Sequence, residues 1–114
     1  MSNSKKYNPA EDNFLLNGSE IIGNLKTNSN IRIDGRLEGD INSTEKIFLG
    51  KFGNVTGDVS CENAYIEGQL EGDLTVNGVA DIRNGAKIKG DIVASKLIFE
   101  DGSELKGSIK LKSN

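Results

Sequence analysis

Histidine and tryptophan are missing from this chain of 114 residues, which has one cysteine, one proline, four phenylalanines and two tyrosines. Without histidine there is no Ser-His or Cys-His pair, and the usual general base and commonest zinc ligand are gone. Cys61 stands alone, so neither an internal disulfide nor a cysteine metal cluster can form, which fits a reducing compartment. No apolar run approaches the ~18 residues of a membrane-spanning helix. Residues 1–9 contain no apolar signal core, and Ser2 excludes the myristoylation motif. The expectation is a cytoplasmic protein. Fourteen Lys and Arg against seventeen Asp and Glu give a net charge of −3, with local basicity only at Lys5-Lys6 and at Lys106, Lys110 and Lys112. Neither basic group has interleaved aromatics, so specific nucleic-acid binding is not expected.

What the chain does have is glycine, 14 residues of it. Glycine costs backbone entropy in regular structure, so such a number needs a positional reason. The reason is a repeat of five residues: aliphatic, any, Gly, polar, aliphatic. It reads Ile21-Ile-Gly-Asn-Leu25, Leu37-Glu-Gly-Asp-Ile41, Val55-Thr-Gly-Asp-Val59, Leu70-Glu-Gly-Asp-Leu74, Ile88-Lys-Gly-Asp-Ile92 and Leu105-Lys-Gly-Ser-Ile109. Its glycines, Gly23, Gly39, Gly57, Gly72, Gly90 and Gly107, span 84 residues in five steps, a mean of 16.8.

A second column lies upstream of each of the last five copies: Ile31-x-Ile33, Ile47-x-Leu49, Ala64-x-Ile66, Ala80-x-Ile82 and Leu97-x-Phe99. A third follows two residues after the last aliphatic, at Thr27, Ser43, Cys61, Val76, Ala94 and Leu111. Each repeat thus holds three short strands of period 2, and no stretch has helical spacing. The corner between the first two columns varies: three residues at 34–36 and 67–69, five at 50–54, 83–87 and 100–104. Constant strands with variable corners fit strands that stack and corners that project into solvent. The order of elements is the same in every repeat, so equivalent strands stack in parallel and the chain winds as a coil. The expected fold is all-β: a single-domain parallel β-helix of about six triangular, three-strand rungs of ~17 residues. The repeat glycines either fill the narrow interior, as between Leu37 and Ile41, or take a corner conformation. Both readings are structural.

The Gly-Asp recurring after an aliphatic pair, the Ile33-Asp-Gly35 and Ile66-Glu-Gly68 corners and the short polar tails resemble the bactofilins, bacterial cytoskeletal proteins. The likeness runs from Asn17 to Leu111. It implies a right-handed helix, agreeing with the hand of parallel crossovers, and no enzymatic activity. It also implies end-to-end assembly into non-polar filaments with neither nucleotide nor cofactor. The implied partners are the chain itself, a membrane surface reached through the N-terminal segment, and cell-wall enzymes or other cytoskeletal proteins that set cell shape. Its implied place is the cytoplasm, including the inner face of the cell membrane.

A coil has two open ends, and a solenoid that stays monomeric carries polar caps there. None is visible. The N-terminal rung instead offers Phe14, Leu15, Leu16, Ile21, Ile22 and Leu25, and the last offers Leu97, Phe99, Leu105, Ile109 and Leu111. These are the expected polymerisation faces. Residues 14–111 form the expected β-helical domain, between a disordered tail at 1–13 and a C-terminal tail at 112–114. Phe14-Leu15-Leu16 has a second reading, as a short apolar membrane anchor after Lys5-Lys6.

Three further readings weigh against these. The column Asp40, Asp58, Asp73 and Asp91 either gathers a cation or, more simply, hydrogen-bonds backbone beside the glycines; no metal is expected. Left-handed β-helix acyltransferases need strict six-residue repeats and a catalytic histidine, and carbohydrate-active β-helices need longer coils and loops, so no catalytic residue is assigned. The C-terminal β-helix of the bacterial septum-site inhibitor is the alternative: a small dimerising adaptor in cell division. Cys61, in an inward column, reads as a small core residue.

Overall fold

A computed structural model describes residues 12–112, so most of the expected N-terminal tail, residues 1–11, lies outside the described residues. The described residues pass through eighteen strands and no helix, three strands to a rung. Rung 1 holds Asn13–Leu15, Glu20–Ile22 and Leu25–Thr27, and rung 2 holds Ile31–Ile33, Arg36–Glu38 and Ile41–Ser43. Rung 3 holds Lys46–Leu49, Asn54–Thr56 and Val59–Cys61, and rung 4 holds Asn63–Ile66, Gln69–Glu71 and Leu74–Val76. Rung 5 holds Val79–Ile82, Lys87–Lys89 and Ile92–Ala94, and rung 6 holds Lys96–Phe99, Glu104–Lys106 and Ile109–Leu111. First strands stack into one six-stranded sheet, face A; second strands form face B and third strands face C. Every pairing is parallel. The result is a β-solenoid of six rungs of about seventeen residues, as the repeat predicts. Its first strand begins at Asn13, within the expected tail.

Alternation along each strand selects the inside. In Ile31–Ile33 the two isoleucines are buried and Arg32 is exposed; in Ile41–Ser43 the ends are buried and Asn42 is exposed. Register then carries each choice up the stack: Ile33 lies beside Leu49, Leu37 beside Val55 and Ile41 beside Val59. The core is therefore one narrow column of Ile, Leu, Val and Ala, in which Ser43 is the single buried polar residue among those described. Ser43 joins it by donating its hydroxyl to the carbonyl of Ser29 at 3.0 Å. Cys61 belongs to the same column, and burial pushes its thiol up from an ordinary 9.0 to about 12, with the Glu62 charge adding to the shift. It is an inert core thiol.

Register also settles the glycine question in favour of the corner. All six repeat glycines sit between faces B and C with φ between 141° and 154°, a region nearly closed to L side chains. They stack on one another: a Cβ on Gly57 would overlap the carbonyl oxygen of Gly39, and one on Gly72 that of Gly57. The first five donate their N–H to the carbonyl just before the next glycine, Gly39 to Thr56 and Gly57 to Glu71 both at 2.9 Å. The interior has no need of glycine as filler. Inward space is instead set by small residues such as Ala64, Ala80 and Ala94.

Candidate self-association faces at the two ends

Every rung sends five side chains inward, two from face A, one from face B and two from face C. In rung 5 these are Ala80, Ile82, Ile88, Ile92 and Ala94, none more than 1% exposed. The register places Leu97, Phe99, Leu105, Ile109 and Leu111 in the same columns one rung on. These five are the residues expected at the C-terminal face, and they share one cross-section. Nothing among the described residues covers it: Phe99 and Ile109 are each 43% exposed and Leu111 58%, although each occupies a core position. The strands of rung 6 also end the three sheets, so each leaves one edge without a ladder partner among the described residues.

The N-terminal end is built differently. Its inward positions, read from register with rung 2, are Asn13, Leu15, Ile21, Leu25 and Thr27. Three of the residues expected there, Leu15, Ile21 and Leu25, are among them. Phe14, Ile22 and Leu16 point elsewhere: Phe14 aligns with outward Arg32 on face A, Ile22 with Glu38 on face B, and Leu16 sits on the corner between. They form an exposed apolar rim, Ile22 the barest at 74%. The other two inward positions are polar and closed on each other, Asn13 Nδ2 donating to Thr27 Oγ1 at 2.9 Å. Thr27 also accepts the Ser29 N–H at 3.1 Å. The repeat columns contain Thr27 but not Asn13, because the repeat is least regular in this rung. The two ends are thus chemically distinct, one wholly apolar and one bridged by a hydrogen bond.

The lateral faces carry the remaining side chains. Along the corner of faces B and C, Asp40 accepts the N–H of Asp58, Asp58 that of Asp73, Asp73 that of Asp91, and Asp91 that of Ser108, at 2.9 to 3.0 Å. Asn24 starts the ladder by accepting the Asp40 N–H at 2.9 Å. One oxygen of each aspartate is therefore committed to backbone, the simpler of the two roles weighed from sequence. No group of three metal-ligating side chains occurs among the described residues. Face A has a partial aromatic column, Phe48 stacked on Tyr65 at 4.9 Å with Arg83 over the Tyr65 ring. Face B offers an open depression of about 390 Å³ lined by Arg36, Asn54, Gln69 and Lys87. No described helix is long and apolar enough to cross a membrane.

A stack of parallel rungs with no cap among the described residues and an apolar cross-section at one end belongs to the class of β-solenoids. Comparison with known proteins makes the class particular. The family model for bactofilins, described as polymer-forming cytoskeletal proteins, matches residues 13–110, and the chain belongs to that family. It is 25% identical over 100 residues to bactofilin BacO of Myxococcus xanthus strain DK1622, a match covering 87% of this chain and 79% of that one. It is also 25% identical over 101 residues to bactofilin BacP of the same organism, covering 88% of this chain but 42% of BacP. No solved structure matches. The family match does not favour the septum-site inhibitor alternative.

Proposed function

We propose that this chain is the subunit of a cytoskeletal filament that grows by joining solenoids end to end, without nucleotide, cofactor or catalysis. The observation that carries the proposal is the last rung, where five core positions and three strand edges lie open together. Burying the exposed parts of Phe99, Ile109 and Leu111 at ~2 kcal/mol each adds ~6 kcal/mol of apolar drive per end, before any strand pairing across the joint. No switch is built into such a contact, so assembly needs only concentration. The contrast between the ends supports a non-polar filament. Joining unlike ends would lay Asn13 and Thr27 over Leu97 and Leu111, setting polar groups against apolar ones at a cost. Joining like ends matches apolar to apolar and polar to polar. Residues 13–111, from the first strand to the last, are the polymerising domain in this reading.

Membrane contact through the exposed rim of Phe14, Leu16 and Ile22 is a second element of the proposal, at the inner face of the cell membrane. Three side chains give weak, reversible binding that a filament would multiply by avidity. The lateral faces are then left for cell-wall enzymes or other cytoskeletal proteins. Negative-stain microscopy and ultracentrifugation of the purified chain without nucleotide test the central claim. Filaments that pellet are expected, and a discrete monomer or dimer at every concentration would overturn it.

A further inference from the structure

Three Asn-Gly pairs occur in the sequence, Asn17-Gly18, Asn77-Gly78 and Asn84-Gly85. This dipeptide is prone to a spontaneous reaction. The backbone nitrogen of the glycine attacks the asparagine Cγ, the nitrogen's proton is lost to base, and ammonia leaves, closing a succinimide. Water then opens either imide carbonyl, giving aspartate or, with the backbone rerouted through the side chain, isoaspartate. The reaction needs a nucleophilic N–H that is not engaged and an amide side chain able to swing onto it.

Stacking disables two of the three pairs. Gly78 donates its N–H to the Glu62 carbonyl at 2.7 Å, and the Asn77 amide is held by Glu62 and by Lys112 Nζ. Gly85 donates to the Gly102 carbonyl at 3.2 Å, and Asn84 Nδ2 to the Asp101 carbonyl at 2.9 Å. The Asn17-Gly18 corner of rung 1 faces the three-residue corner 34–36 of rung 2, whose N–H groups donate to the Leu15 and Ser19 carbonyls and which offers the Gly18 N–H no acceptor. Among the described residues neither Asn17 nor the Gly18 N–H has a hydrogen-bond partner, Gly18 has φ +93°, and open space lies where its Cβ would be. We infer that Asn17 is a selective site of succinimide-mediated deamidation, made so by a corner whose glycine N–H the next rung leaves unmatched.

The product adds a carboxylate three residues from the exposed charge of Glu20, on the end proposed above as a joint. Isoaspartate also lengthens the backbone of a corner whose Leu16 and Ser19 carbonyls rest directly on Gly35. Deamidation therefore weakens N-terminal joining and ages the filament from that end, a consequence that rests on the filament reading while the chemistry does not. Peptide mapping by mass spectrometry, after incubating the folded chain at mildly alkaline pH, reads the modification directly. The amide-to-acid mass gain and isoaspartate methyltransferase labelling are expected at Asn17 at least about tenfold faster than at Asn77 or Asn84, since those must first open locally. In urea the three sites are expected to react alike, and Asn17→Gln removes the fast site. Equal rates at the three sites in the folded chain, or none at Asn17, would overturn the assignment. Ultracentrifugation of Asn17→Asp beside fresh wild type reads the consequence: a smaller pelleted fraction is expected, and an equal one refutes it. A fresh wild type that never pellets fails the filament reading alone and leaves the mapping to decide the site.

Discussion

Phe99 tests the open-end reading with numbers. It is 43% exposed in the column continued from Ile82. A phenylalanine buries ~200 Å², so about 90 Å² remains to be covered, worth ~2 kcal/mol at ~25 cal/mol/Å². Each subunit contributes one copy of Phe99 whichever ends are paired, so truncation should raise the critical concentration roughly 30-fold. Phe99→Asp adds the cost of a buried charge and should leave short soluble species. Leu111→Asp, at a position 58% exposed, should do the same with less loss of monomer stability. The assay is pelleting across a concentration series, with circular dichroism to establish that the strands persist. Phe52→Asp supplies the control, because Phe52 is 63% exposed on a lateral corner and carries the same charge change away from the C-terminal end. Pelleting of both Phe99→Asp and Leu111→Asp at the wild-type concentration would refute the reasoning.

Three other outcomes follow from the stack. Gly72→Ala should cost more than ~3 kcal/mol, since the added Cβ runs into the Gly57 carbonyl at φ 148°, whereas Gly23→Ala meets nothing and carries backbone strain of ~1–3 kcal/mol; thermal melts that rank them equally would be wrong for this corner. Asp73→Ala leaves the Asp91 N–H without its acceptor at 3.0 Å and should cost ~1 kcal/mol, while Asp73→Asn keeps the acceptor and should be near neutral in the same melts. Cys61 gives a pH signature: from about pH 9 to about 12 the unfolded chain sheds its thiol proton while the folded chain keeps it, so stability falls as pH rises, and denaturant titrations of Cys61→Ala should lack that component. The same burial predicts that thiol reagents label Cys61 only on unfolding.

The coil was legible because its signal is arithmetic. A five-residue pattern returning about every seventeen residues, with period 2 inside it, fixes three strands per turn and the number of turns. The inward columns followed from the same pattern, and with them all five residues of the C-terminal face. Rung 1 was less legible. Phe14, Leu16 and Ile22 are apolar and lie in the right rung, but alternation turns a strand's side chains to opposite faces, and only pairing with Arg32 and Glu38 shows that two of these three point outward. Asn13 escaped notice for the converse reason, a polar residue in a core column. The repeat glycines could not be assigned from sequence either, since a residue without a side chain satisfies both a crowded interior and a positive φ.

By itself, then, the sequence determined the architecture, because a parallel coil repeats its own pattern and each rung must present the same residues to the next. It determined too that the chain has no histidine, the commonest general base. Tertiary structure decided what repetition cannot express: which way each side chain points in the rung that departs from the pattern, and which atoms at each end lack a neighbour. It set Asn13 against Thr27 at one end and left Phe99, Ile109 and Leu111 bare at the other. Those facts depend on where stacking stops, and a local pattern is blind to the absence of the next copy.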